Sequence, residues 1–259
     1  MIRALRLYAA QSAAAIRTSF SDRGNFAIQV GGMIVNDIFF LTLWVLFFAG
    51  FRSIGGWRLQ DMALLFGLTM SVVGISGVFF GGYRDLAATL LRGELDALLT
   101  QPKALIPRLL ARESIATAWG DLAGAIFVLA VFARLDWSDL PALLLAIAAG
   151  TTVYVSASIS FASLAFWAAG ARSFARDLTD FMLLFSSYPG SIYRGAVKTI
   201  AFTILPAGFV VLAPMGMVRH PSGQTLAVVV FGAVLYAAIA VALFSLGLAR
   251  YRRGASPSA

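Results

Sequence analysis

Residues 92–113, RGELDALLTQPKALIPRLLARE, are the longest polar interval in an otherwise apolar chain. Charges of both signs, two prolines and a run of leucines are mixed in it. Unpaired charge is costly in an apolar medium, so this interval must surface between the runs that flank it. How many such runs the chain contains, and how long they are, sets the fold class.

Sixty per cent of the 259 residues are hydrophobic and 12% are charged. A soluble domain is about 45–50% apolar and about 25% charged. A soluble core has no room for this excess, and the composition points to an all-α integral membrane protein whose unit is a span of roughly 20 apolar residues. The net charge of +8 does not indicate nucleic acid, because the arginines stand at the ends of apolar runs rather than on one patch. Cysteine is absent, which excludes disulfides and cysteine-based metal or redox sites. The N-terminus has no compact apolar core followed by small-residue cleavage signals, so the first long apolar run is expected to stay as an uncleaved anchor.

The whole chain, 1–259, reads as one transmembrane domain. Residues 1–25 hold an amphipathic helix, with Ile2, Leu5, Ala9, Ile16 and Phe20 on one face and Arg3, Arg6 and Arg17 on another. Such a helix lies in the membrane interface. Spans 1 and 2 occupy 26–82, the first through VNDIFFLTLWVLFF (35–48), with Gly55-Gly56 as the intervening turn. Residues 83–111 form a cytoplasmic segment. Spans 3 and 4 occupy 112–168, with Pro141 opening the fourth, and GARSFARD (170–177) reads as a polar break. The nearly apolar stretch 178–214 is too long for one span and too short for two with a turn. It is interrupted by YPGSIYRG (188–195), Pro206 and Pro214. Region 174–223 is therefore read as span 5, ending near 189, followed by a re-entrant outer helical hairpin, which needs protein or water around its irregular backbone. Span 6 is 224–249.

Six spans put both termini on one side. With the N-terminus inside, inner segments hold fourteen lysines and arginines and outer segments six. The positive-inside rule then places both termini in the cytoplasm, and the 83–111 segment with them. The small-residue pairs Gly77/Gly81, Gly120/Gly124 and Ser156/Ser160, each four apart, mark close helix packing.

Catalytic chemistry finds little support. GISG (74–77) matches the Gly-x-Ser-Gly of rhomboid proteases, but a serine nucleophile needs a base, and the one histidine, His220, lies outside the apolar runs. Ser222-Gly223-Gln224 is a fragment of an ABC signature loop, yet no Gly-x-x-x-x-Gly-Lys-Ser/Thr occurs, so this chain holds no P-loop nucleotide. No His, Asp or Glu cluster has metal-ligand spacing. Asp37 and Asp121, near the middle of spans 1 and 3, and Asn36 beside Asp37 are either parts of a hydrated path or buried hydrogen-bonding and ion-pairing groups. Leu91, Leu95, Leu98 and Leu99 follow helical spacing, which predicts one short amphipathic helix over 91–99, stopped by Gln101-Pro102, with Pro107 opening the next helix toward span 3.

GELDALLTQP (93–102) resembles the Gly-x-Leu-Asp-x-Leu-Leu-x-x-Pro segment of ABC-2-type transporter permeases, in their six-span bacterial branch. YPGSIYRG and ILPAGFVVLAP (204–214) are similar to that branch's tyrosine-proline break and outer hairpin. The resemblance implies an exporter subunit of a bacterial inner membrane. Two permease chains, identical or paralogous, would pair with two copies of an ABC ATPase that carries the ATP and magnesium, with no cofactor in this chain. It implies that Gly93, Glu94, Leu95, Asp96, Leu99, Gln101 and Pro102 couple to that ATPase. It also puts Asn36, Asp37 and Tyr188 near the translocation path, to which Asp121 is added as a mid-span carboxylate, and makes Pro189, Pro206 and Pro214 part of an outer gate. The expected cargo is an amphipathic solute moved by alternating access. The competing class is a secondary transporter, which would often show broken helices at matching places in two halves; here one break is seen.

Overall fold

The computed structural model describes residues 2–51, 53, 55–100, 104–168 and 170–253. Its elements are α1 (Ile2–Ser19), α2 (Arg23–Gly50), α3 (Leu59–Phe80), α4 (Leu86–Leu91), α5 (Leu95–Leu99), α6 (Leu105–Leu110), α7 (Thr117–Phe132), α8 (Leu140–Ser163), α9 (Ala171–Ser186), α10 (Gly195–Phe202), α11 (Ala213–Arg219) and α12 (Gly223–Arg252). A π-helical turn, Gly208–Leu212, leads into α11. Among the described residues there is no strand.

Four helical stretches are long and apolar enough to cross a membrane: Arg23–Gly50, Leu59–Leu91, Trp137–Phe166 and Gly223–Arg252. They coincide with the expected spans 1, 2, 4 and 6. At the expected spans 3 and 5, α7 and α9 have 16 residues each. At about 1.5 Å per residue each is about 24 Å long, against a hydrocarbon core of about 30 Å.

The order of packing follows from which helices carry small residues. The central helix is α3, buried almost without interruption from Met62 to Val72. It lies between α7 and α8, with α2 outside α7 and α12 outside α8. Its contact with α7 is close because glycine faces it: a Cβ on Gly77 would stand 2.5 Å from Ala118 Cβ, and one on Gly74 2.7 Å from Leu122 Cγ. Gly120 and Gly124 of α7 do the same for α2, where Met33 and Asp37 approach. The expected small-residue packing is thus present. The outer helices expose large apolar side chains, Phe39 and Leu46 on α2 and Phe231 and Val234 on α12, as lipid-facing surfaces do. Helix α1 crosses the end of α3, and Tyr8 Oη donates to Phe79 O at 2.6 Å.

Three local expectations are corrected. The single helix over 91–99 is two helices, α4 and α5, because Gly93 takes φ +70 between them, a left-handed conformation that glycine adopts without steric cost. Pro107 is the third residue of α6, where its missing N–H costs nothing. That helix does not run on into span 3: the chain turns through residues 111–116, where Ile115 N donates to Gly77 O at 2.9 Å, and α7 begins at Thr117. Finally, the polar residues of GARSFARD from Ala171 onward are not a loop but the first half of α9. Pro141 does stand in the first turn of α8.

Beyond α9 the chain is short and bent, as 188–214 foretold. Pro206 ends the break after α10, and at the entry to the π turn Val210 N donates to Pro206 O at 3.0 Å. Carbonyls freed at the breaks are met by tyrosines: Tyr236 Oη of α12 donates to Thr203 O at 2.7 Å, and Tyr193 Oη to Phe185 O at 2.9 Å. The break is packed onto the bundle, with Pro189, Pro206 and Pro214 buried. A side chain at Gly150 of α8 would collide with Val210 O.

Candidate functional site

Two places gather polar side chains: the elbow between α3 and α7, and a cavity beside it. The elbow is built on ion pairs. Arg92 Nη2 lies 2.8 Å from Asp85 Oδ2, and its Nε lies 2.6 Å from Glu94 Oε1. Arg112 reaches the other oxygen of Glu94 at 3.2 Å, and Arg172 of α9 reaches Asp85 at 3.7 Å. These guanidinium groups, Arg92 foremost, hold the Glu94 carboxyl below the usual glutamate range, and the carboxylates of Asp85 and Glu94 raise the Arg92 guanidinium. Nearby, burial pushes the Glu113 carboxyl up.

The expected coupling residues divide by direction. Gly93 provides the turn. Glu94 bridges Arg92 and Arg112. Leu95 is wholly buried, and Leu99 is partly buried against the same core. These two leucines therefore anchor the elbow to the bundle. Asp96 is exposed, yet its Oδ1 accepts from Tyr251 Oη at 2.9 Å. Gln101 and Pro102 lie outside the described residues. Arg108, buried on α6, donates from Nη1 to Leu98 O at 3.1 Å and closes the C-terminal end of α5.

Tyr251 was not foreseen. It sits on the last turn of α12, about 155 positions from Asp96, and its ring packs edge-on against Phe166 with centroids 6.3 Å apart. Phe166 in turn meets Phe244 at 5.6 Å, and its ring fills the space a side chain at Gly247 would need. The elbow is thus tied to both α8 and α12. No short-range pattern marks a contact of that sequence separation.

The cavity, about 170 Å³, opens among α3, α7, α8 and α9. Asp121 lines it, as do Tyr83, Tyr154, Arg84, Arg176 and Asp180. Tyr83 and Tyr154 are buried, with hydroxyls 3.4 Å apart and rings edge to face. Of the expected path residues, Asp121 faces this space. Asp37 of α2 is buried against α7 near Gly124, where an added Cβ would lie 3.0 Å from its Oδ2. That oxygen has no hydrogen-bond partner. Asn36 is exposed on the outer surface of α2. Tyr188 is half-buried against Trp44, ring centroids 6.5 Å apart, and does not line the cavity.

Arg172 and Arg176 fall in the expected polar break GARSFARD and Asp180 in expected span 5, so none of the three is marked as a cavity residue in advance. The signal was available: positions 172, 176, 179, 180 and 183 share one face at helical spacing, and all five line the cavity.

The serine of GISG has no catalytic setting. Ser76 is fully buried, with its hydroxyl unpartnered. His220 follows Arg219, which bonds Gln60 O at 2.9 Å at the opposite end of α3. Residues 60 and 76 are about 24 Å apart along that helix.

Residues 33–255 match the family described as ABC-2 family transporter protein. The match covers well over half of the chain, and the chain belongs to that family. No curated protein and no solved structure matches it.

Proposed function

We propose that this ABC-2 family chain is the transmembrane permease subunit of an ATP-driven exporter in a bacterial inner membrane, powered by a separate ABC ATPase. The observation that carries the reading is the construction of the elbow. It is a short helical segment between two bundle helices, pinned by buried Leu90, Leu95 and Leu109 and held by polar contacts of Asp85, Arg112, Arg108 and Tyr251. A push on such a segment displaces the ends of α3, α7, α8 and α12 together, which is what a subunit needs if its energy comes from elsewhere.

In this reading all six helices α2, α3, α7, α8, α9 and α12 cross the membrane. Local thinning of the bilayer accommodates the two short ones, at a modest cost. Helix α1 lies in the inner interface. The segment α10 to α11 is a re-entrant hairpin that closes the outer mouth, where Arg219 of α11 pairs with Asp61 at the start of α3 at 3.2 Å. The elbow and both termini face the cytoplasm. Two permease chains and two ATPase chains make the working unit, ATP and magnesium sit on the ATPase, and an amphipathic solute passes by alternating access. The motor biases the two states only by binding them unequally.

The test is transport in vesicles holding the permease with and without a partner ABC ATPase. Movement that requires both chains, and that falls at least tenfold in Asp96→Ala/Pro102→Ala while the variant elutes and melts like the parent, is expected. Full-rate movement without the ATPase would indicate a secondary transporter. Intact transport in the double variant would remove the coupling role from these residues.

A further inference from the structure

Among the described residues, most of the charges around the cavity form no ion pair. Asp121 is 5% exposed, and its carboxylate accepts no hydrogen bond and forms no ion pair among the described residues. Arg84 and Arg176 line the same space from exposed positions at its mouth, and neither has a carboxylate within 4 Å. Arg172, at the same mouth, is held by Asp85, and Asp180 stands there without an ion-pair partner. Further in, the hydroxyls of Ser158 and Thr179 are spent on backbone carbonyls one turn back.

A buried carboxylate beside an open space is stabilised by a cation, and two guanidiniums at its mouth can hold an anion. A simple anion would satisfy the arginines but meet Asp121. A simple cation would satisfy Asp121 but must pass Arg84 and Arg176. A ligand with both charges a few bonds apart meets each demand. The volume suits it: about 170 Å³ has room for a headgroup, and the acyl chains are left to the bilayer. Tyr83 and Tyr154 form part of the wall, and aromatic rings favour an alkylammonium.

We propose that this cavity binds the headgroup of a zwitterionic amphiphile, its ammonium on Asp121 and its phosphate between Arg84 and Arg176. As a statement about cargo the proposal rests on the exporter reading; as a statement about binding it does not.

The purified chain in maltoside detergent is titrated with a fluorescent short-chain phosphatidylethanolamine, with the matching phosphatidylglycerol and with an alkylamine. The expected result is saturable binding of the zwitterion, at least tenfold tighter than either of the others. Asp121→Asn and Arg176→Gln should each weaken it about tenfold or more. Asp121→Asn keeps the side chain's size, and Arg176 is exposed, so elution and melting are expected to stay at the parent's. Equal affinity for phosphatidylglycerol, or for the alkylamine, overturns the two-charge site, as does unchanged binding in Asp121→Asn. In vesicles with the partner ATPase, ATP-driven movement of the same lipid that Asp121→Asn abolishes makes it cargo. Binding without any such movement upholds the headgroup site and overturns this lipid's role as cargo, while the exporter reading is decided separately by ATPase-dependent transport.

Discussion

The two irregular regions of this molecule are held by different physics. The bent hairpin, α10 to α11, is irregular in backbone and packed along one side: its prolines are buried, two freed carbonyls are met by Tyr236 and Tyr193, and it presses on Gly150 of α8 without room for a methyl group, while α10 is largely exposed. The elbow, α4 to α6, buries Leu86, Leu90, Leu95 and Leu109 in the core as well, but its outer side is laced by ion-paired side chains 35–57% exposed. Interior packing has two arrangements or one, and does not deform gradually. Exposed ion pairs can be exchanged for those of a partner at little cost. The hairpin is fixed by close packing, and the elbow adds exchangeable ion pairs to its packing.

The contrast is broken most severely at Gly150. Gly150→Val drives a side chain into the carbonyl of Val210, and overpacking against backbone has no cheap relief. Loss of a monodisperse folded protein is expected, measured by fluorescence-detected elution; a variant that elutes and melts normally would mean the hairpin is not held tightly after all. Next in size is Leu95→Ala, expected to cost about 2–5 kcal/mol as a buried leucine truncation. The loss should register as a lower melting temperature and faster proteolysis after Arg92. Little change in either would remove Leu95 from the elbow's apolar anchors.

Smallest is the effect of Glu94, which sharpens the electrostatic half of the contrast. Its folded-state value lies below the usual one because of Arg92 and Arg112. The unfolded chain therefore binds a proton first as pH falls. The stabilisation is present above the ordinary glutamate value of about 4.3 and is lost as pH drops through the depressed folded value. The melting difference between the parent and Glu94→Gln should be small at pH 7, close at pH below the glutamate range, and shrink in high salt. A difference that persists in acid would assign it to packing.

Much of this was legible beforehand. Apolar runs located α2, α3, α8 and α12 within a few residues, because lipid imposes length and composition on a span directly. The prolines and YPGSIYRG marked the outer break, since proline removes a donor wherever it falls. The elbow was legible as a polar interval, but its division at Gly93 was not, because leucine spacing alone does not register a positive φ. Asp121 was visible as a carboxylate in an apolar run, though its two readings stayed open until the cavity appeared. In Arg172 and Arg176 the opposite occurred: charge suggested a loop where the helical face was the stronger signal.

By itself the order of residues determined that this is a helical membrane protein, where its long spans run, and which interval must surface, because transfer of side chains between water and oil is additive along the chain. Only the tertiary structure decided that Asp96 meets Tyr251, that Asp121 shares a cavity with Arg84 and Arg176, and that Asn36 and Tyr188 stand apart from it. Those are contacts between distant segments, and they depend on how helices approach one another in space, which hydropathy and periodicity within a single helix do not encode.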